Sequence, residues 1–410
     1  MSARVFLGQT LVGELRPNPA SAETSFEFDA AYSSSALRPV LGRWFEDQLI
    51  EPPRTFRGAP LPNYFRNLLP EGALRKIVEK RLGSTALPEY AMLLRLGENL
   101  PGAVRVVSDE LDMGPLEDSE RKGRAAGDPF RFALTGVQAK LTLFERDDRL
   151  TVPLEGGGGY WIAKLGSPAF QRLVENEHVM LEWARESGLN VPEHRVIHAS
   201  EVDNFPEDFD PNQELLIVRR FDRGEDGSRI HQEDFAQIFN IAPEERDAAE
   251  IVDLAWVHYG GIGAVVHAVC GEDDYREYLR RLVFMVLSGN ADAHVKNWAL
   301  VYPDGLKARL APVYDFVSTV VYSRQRDYSP LRWWAPPAPT VDPAKRLVEV
   351  TMDDVFGAAS LTPGMATPDL LDELSGFVQK VRATWRVVAE SAPDVIRERV
   401  AAHLRATSLR

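Results

Sequence analysis

The stretch Leu287-Ser-Gly-Asn-Ala-Asp-Ala-His-Val-Lys-Asn-Trp-Ala-Leu-Val-Tyr302 gathers groups that could do chemistry within a few residues. Asp292 could serve as a base, Asn297 as an oxygen ligand for a hard cation, and Lys296 as a cation for developing negative charge. A second carboxylate, Asp315, follows at the end of an apparent hairpin: Trp298, Leu300 and Tyr302 alternate as a strand, Pro303-Asp304-Gly305 turns the chain, and Leu306 to Val313 returns. Two carboxylates and an amide converging on one spot suit phosphoryl transfer, with Asp292 taking the acceptor proton and Asn297 and Asp315 holding Mg2+. Asp-x-x-x-x-Asn alone is a weak pattern that a capped polar loop would also satisfy; the hairpin and Asp315 lend it weight. His294 has no second His or Cys at ligand spacing, and by itself reads as an imidazole packed in the loop.

Another candidate is Lys164, a cation inside the apolar run Tyr160-Trp-Ile-Ala-Lys-Leu165. The following helical segment puts Glu177 on the face defined by Leu173, Val174, Met180, Leu181 and Ala184, where a carboxylate needs a cation. A Lys164–Glu177 pair of this kind positions ATP phosphates in kinases, and Asp-x-x-x-x-Asn is the spacing of a protein-kinase catalytic loop. The bland alternative is an exposed strand lysine and a helix-edge glutamate. A third segment, Leu134-Thr-Gly-Val-Gln-Ala-Lys140, offers backbone N–H groups to phosphate oxygens before a strand but is no Walker loop. Gly156 to Gly159 reads as a loose hairpin turn.

The elements that must position these residues can be laid out from patterning. Short strand signals (Arg4 to Leu7, Thr24 to Phe28) mix with helical runs such as Glu71 to Leu82, giving a small α+β unit over 1–107. Residues 108–128 are polar and glycine-bearing and read as a linker. A β-rich lobe spans 129–225, with strands at Phe132 to Phe144, Tyr160 to Leu165, Arg195 to His198 and Glu214 to Phe221 and one helix at Gln171 to Ser187. A helical lobe spans 226–410, with helices at Gln232 to Phe239, Ala248 to His258, Asp274 to Ser288 and after Pro368. Gly289 is expected to cap the helix before Asp292 in the left-handed conformation. The Pro-rich interval Tyr328 to Pro343, with Trp333 and Trp334, is expected to be an ordered surface loop. The expected fold is α+β and two-lobed, like a protein kinase, with an additional N-terminal subdomain.

Composition narrows the partners. A net charge of -14 disfavours direct wrapping of nucleic acid. The single cysteine, Cys270, rules out a disulfide framework or a cysteine metal cluster. The N-terminus has no long apolar stretch and no run reaches the length of a membrane span, so a cytoplasmic protein without membrane attachment is expected.

Together these segments resemble the HipA family of toxin kinases. The likeness is carried by Thr135-Gly-Val-Gln-Ala-Lys140, Ala163-Lys164-Leu165, Glu175-Asn-Glu-His178, Ser187-Gly-Leu-Asn-Val-Pro192, Val218-Arg-Arg-Phe-Asp-Arg223, His231-Gln-Glu-Asp-Phe235, Gly289 to Asn297 and Pro312-Val-Tyr-Asp315. In the N-terminal unit it is carried by Tyr64 to Gly72 and Leu96 to Arg105. The resemblance implies an ATP- and Mg2+-dependent serine/threonine protein kinase whose partner is a helix-turn-helix antitoxin, so that DNA is reached only through that partner. Family members with known targets phosphorylate an aminoacyl-tRNA synthetase, which stops translation. The resemblance further implies that Thr135, Gly136, Val137, Gln138, Ala139 and Lys140 line the ATP phosphates, that Lys164 contacts them, and that the backbone from Arg219 to Phe221 meets adenine. Asp292 would be the base, His294 and Asn297 would contact nucleotide or metal, and Asp315 would bind Mg2+.

One position departs from the family. Many members carry, three residues before the glycine of the phosphate loop, a serine whose autophosphorylation ejects the loop; here that position is Ala133, and Thr135 is the nearby hydroxyl. Two other readings draw on the same residues: an idle corepressor module for a DNA-binding partner, and a small-molecule phosphotransferase. The joint presence of Lys164, Asp292, Asn297 and Asp315 disfavours the idle module.

Overall fold

The computed structural model describes residues 2–48, 55–81, 84–108, 140–146, 149–152, 159–207, 209–246, 257–322, 327–333 and 345–410. Ala133, the loop 135–139, the segment 109–128, Gly156 to Gly158, most of the expected helix Ala248 to His258, and Trp334 lie outside the described residues. The chain forms two compact units, each built from three stretches of sequence: 1–167, 194–243 and 301–306 in the first, and 168–193, 244–300 and 307–410 in the second.

The first unit holds two sheets. One runs in the order Thr55–Gly58, Thr24–Phe28, Thr10–Pro17, Ala3–Leu7, Val104–Val107, antiparallel throughout. Thr24–Phe28 alternates buried and half-buried residues, the period of a strand with one face on a core. That core is aromatic, with the ring centroids of Phe26 and Phe65 5.0 Å apart and those of Phe45 and Tyr64 also 5.0 Å apart. The other sheet runs Val202–Asp203, Arg149–Thr151, Lys140–Arg146, Trp161–Leu165, Glu214–Arg219, His194–His198. Its Trp161–Leu165 strand is central and nearly all buried, so Lys164 lies inside, at 3% exposure.

The expected helix Gln232 to Phe239 is corrected. His231–Asp234 is a strand, and a helix begins only at Phe235. Asp234 accepts from the Gln237 amide and the Gln237 side chain accepts from the Asp234 amide, a reciprocal cap that fixes the helix start. On that strand Glu233 is fully buried. It accepts from the Arg43 amide at 2.9 and 3.0 Å and from the Tyr302 hydroxyl. Burial pushes the Glu233 carboxyl up to about 8, against these hydrogen bonds, which favour its charged form. A folded-state pKa above the unfolded one gives stability that is complete below the unfolded pKa and lost as pH rises through the folded one. Unfolding midpoints of wild type and Glu233→Gln, compared from about pH 5 to about pH 9, should therefore differ with pH, wild type losing ground as pH rises. Midpoints that stay parallel over this range would show that the buried carboxyl does not titrate there.

The second unit is helical, around Glu272–Ser288, which buries nearly every residue from Tyr278 onward. Against it packs Tyr259–Cys270, a helix not expected from the sequence, whose Gly260, Gly261 and Gly263 have low helix propensity. A Cβ on Gly263 would meet the Tyr275 and Tyr278 rings at 3.1 Å, so glycine here lets two helices approach closely. Leu173–Glu186 packs on Pro368–Val388, with the Trp183 and Trp385 ring centroids 4.6 Å apart and Trp183 donating to the Val381 carbonyl at 2.9 Å. The surface-loop expectation for Tyr328 to Pro343 fails at Trp333, which is buried with its ring centroid 5.1 Å from that of Tyr259. Among the described residues no helix is long and apolar enough to cross a membrane.

Candidate functional site

Helix Glu272–Ser288 ends at Gly289, whose φ of 70° is the left-handed cap expected from sequence. The loop that follows is tied down by its own backbone. Asn290 Oδ1 accepts from the Asp292 amide at 2.9 Å, and the Asp292 carbonyl accepts from the His294 amide at 2.8 Å and from Asn297 Nδ2 at 2.6 Å. The Ala293 carbonyl accepts from Trp298 Nε1 and the Tyr259 hydroxyl, each at 3.2 Å. Ala293, His294, Val295 and Lys296 are buried, while Asp292 stays exposed to solvent. Asn297 spends its Nδ2 on this loop, which leaves Oδ1 as the ligand atom it can offer a cation.

Asp315 is brought to the same loop through its neighbours. The Tyr314 hydroxyl donates to the Lys296 carbonyl at 2.9 Å, and the Phe316 ring stacks on Phe284 of the central helix at 5.6 Å. Asp315 itself is half-buried, with φ 53°, in the left-handed region that glycine favours and that asparagine and aspartate enter more readily than other side chains. The expected return strand from Leu306 to Val313 is shorter than read, a two-residue strand at Arg309–Leu310. Asp274 holds it, accepting from the Arg309 guanidinium at 2.7 and 2.9 Å. Burial, then the nearby Arg246 and Lys296 cations, push the His294 imidazole down to about 3 despite the Asp315 carboxylate. His294 is therefore neutral at physiological pH, and its buried Nδ1 has no hydrogen-bond partner among the described residues.

In the first unit Lys140 and Lys164 are direct cross-strand partners, both buried. Partners in an antiparallel pair project to the same face, where two like charges repel unless an anion joins them. Arg219 ends the neighbouring strand, its guanidinium 5.2 Å from the Tyr160 ring centroid, and the Arg220 amide donates to the Tyr160 carbonyl at 2.8 Å. Phe221 is half-buried. Glu177 is buried in the second unit on Leu173–Glu186, the helix face assigned to it from sequence.

Comparison with known proteins then decides the family. A family model described as the HipA-like C-terminal domain matches residues 132–385, more than half of the chain, and one described as the HipA N-terminal domain matches residues 3–107. The chain belongs to the HipA family. A candidate kinase of Sinorhizobium fredii, Y4dM, is 34% identical over 92% of this chain and 89% of its own length. The serine/threonine-protein kinase toxin HipA of Shewanella oneidensis is 24% identical over 78% of this chain and 76% of its own. Among solved structures, HipA of Shewanella oneidensis MR-1, in complex with HipB and its operator DNA, matches with a TM-score of 0.68 over 99% of this chain and 96% of that one, at 20% identity. The HipA fold is α+β, two-lobed and kinase-like, as expected from the sequence.

Proposed function

We propose that this HipA-family chain is an ATP-dependent serine/threonine protein kinase, the toxin of a toxin–antitoxin module, with Asp292 as catalytic base. The observation that carries this reading is a solvent-exposed Asp292 on a loop held by hydrogen bonds to the Asp292 amide and carbonyl, at the end of a helix buried from Tyr278 almost throughout. A base must reach the acceptor hydroxyl in a fixed position, and this arrangement provides that. Asp292 takes the proton as the hydroxyl oxygen bonds to the transferred phosphorus and the bond to the leaving ADP oxygen breaks. The donor set fits Mg2+: Asn297 offers an amide oxygen and Asp315 a carboxylate, both hard ligands. Mg-ATP, when bound, supplies the phosphoryl group and neutralises charge as it transfers. Lys140 and Lys164, two buried cations on one sheet face, support a phosphate-binding role for both. Glu177 keeps the phosphate-positioning role and Lys296 the charge-stabilising role read from their patterns. The loop 135–139, His294 and the backbone from Arg219 to Phe221 keep the nucleotide roles that the resemblance implies, and a HipB-like antitoxin is the proposed partner. The acceptor class is a protein hydroxyl, an aminoacyl-tRNA synthetase being the kind of target the resemblance suggests. Incubating the protein with radiolabelled ATP and cell lysate should label a discrete protein band, and the absence of label on any protein would overturn the reading.

The regulatory proposal concerns Ala133. A phosphate at that position would add a charge of about -1.5 to -2 beside the triphosphate and repel the loop from the site. Alanine accepts none, so activity should persist through long incubation with Mg-ATP. Ala133→Ser is expected to restore time-dependent self-inactivation, while Thr135→Ala changes nothing. Self-inactivation of the unaltered chain, with phosphate on Thr135 by mass spectrometry, would show that Thr135 has taken over the switch.

A further inference from the structure

The turn carrying Asp292 is closed by a residue that the sequence reading gave no role. Thr319 Oγ1 donates to the Gly289 carbonyl at 3.0 Å and accepts from the Ala291 amide at 2.9 Å, so one hydroxyl spans the turn between the helix cap and the residue before Asp292. The Val320 amide donates to the same Gly289 carbonyl at 3.3 Å. Contact is close enough that a Cβ on Gly289 would lie 2.5 Å from Val320 Cγ2. Thr319 is itself held from the other side. Asn176, fully buried on Leu173–Glu186 beside Glu177, accepts from the Ser318 amide at 2.9 Å and donates to the Ser318 carbonyl at 3.0 Å and to the Tyr322 hydroxyl at 3.1 Å. Ser318 stands three residues after Asp315. A continuous set of buried hydrogen bonds thus joins the helix bearing Glu177, the segment after Asp315 and the turn before Asp292.

We propose that Thr319 is a positioning residue for phosphoryl transfer, its hydroxyl fixing the turn that carries Asp292, with Asn176 fixing Thr319. The inference rests on Asp292 being the base. Thr319→Val keeps the shape and the β-branch but removes both bonds, and a base displaced by a fraction of an ångström costs chemistry more than binding. Its kcat should fall roughly 10- to 100-fold with the KM for ATP changed by less than about threefold, and Thr319→Ser, which keeps the hydroxyl, should retain kcat within about threefold of wild type. A merely structural threonine would lower the amount of folded enzyme, not split kcat from KM. Hydrogen exchange reads the geometry without activity: protection of the Ala291 amide should drop about tenfold in Thr319→Val. Should Thr319→Val fail to fold, Thr319→Ala serves for both measurements. Unchanged kcat in an active enzyme, unchanged Ala291 protection, or loss of kcat in Thr319→Ser as deep as in Thr319→Val would each overturn the inference. An inactive wild type counts against the kinase reading instead, and the exchange measurement still decides whether Thr319 holds the turn.

Discussion

Asp292→Asn is expected to lower phosphate transfer by about 10²- to 10⁴-fold, the usual contribution of a positioned base, and so to erase labelling of lysate proteins. The hydrogen bonds that shape this turn use the Asp292 amide and carbonyl, which the substitution keeps. The side chain is exposed, so the change in stability should stay within about 0.5 kcal/mol. Asp315→Asn should abolish transfer through weakened metal binding, and raised Mg2+ should rescue it in part, whereas Asp292→Asn should gain nothing from added Mg2+. Labelling at wild-type levels by both variants, with unchanged melting temperatures, would remove these residues from the chemistry.

The largest effect on stability is expected away from that turn, at Asp222. This buried carboxylate accepts from Arg220 Nε and Nη2 at 2.7 and 2.6 Å, from Arg223 Nη1 at 2.9 Å and from the Gly102 amide at 2.9 Å. Among the described residues three further guanidinium nitrogens, Arg220 Nη1 and Arg223 Nε and Nη2, are buried without a hydrogen-bond partner, and two guanidinium groups share this one carboxylate. Neutralising Asp222 leaves two buried cations uncompensated, and Asp222→Asn should cost about 3–5 kcal/mol in chemical denaturation. The exposed Arg16–Glu14 pair, by contrast, should be worth under about 1 kcal/mol. Burial alone would raise the Asp222 carboxyl, yet Arg220, Arg223 and the Gly102 amide outweigh it and hold the group well below the usual carboxylate range. A depressed folded-state pKa gives stability that is present above the unfolded pKa of about 3.9 and lost as pH falls toward the folded one. The gap between wild type and Asp222→Asn should therefore be widest near neutrality and narrow in acid; a gap that ignores pH would mean that the carboxyl titrates alike in the folded and unfolded protein.

What the sequence disclosed about this fold followed from periodicity and punctuation. The apolar spacing from Tyr278 to Leu287 and the glycine after it were enough to place a buried helix and its left-handed end, and with them the loop of Asp292. Lys164 in an apolar run and Glu177 on an apolar face were rightly read as buried, because charge in such patterns is conspicuous. The helix Tyr259–Cys270 had no counterpart in the expected elements, since a glycine that shapes a helix crossing has the same letter as one that ends a helix. The expected helix began at Gln232, before its true start, because a reciprocal cap between Asp234 and Gln237 is visible only when the strand before it is known. Asn176 and Thr319 escaped notice because their partners lie 142 and 30 residues away. The one available sign was a buried-face asparagine next to Glu177.

Asp315 occupies a left-handed backbone conformation that glycine accepts freely and aspartate less so, and glycine there would relieve strain of up to about 1 kcal/mol. Asp315→Gly should then be a sturdier molecule and an inert one. On the proposed metal-binding role of Asp315, a library screened only for heat resistance would enrich this change, while a screen that scored phosphate transfer would never return it. If Asp315 binds the metal as proposed, position 315 is a point where selection for durability and selection for activity pull the sequence in opposite directions.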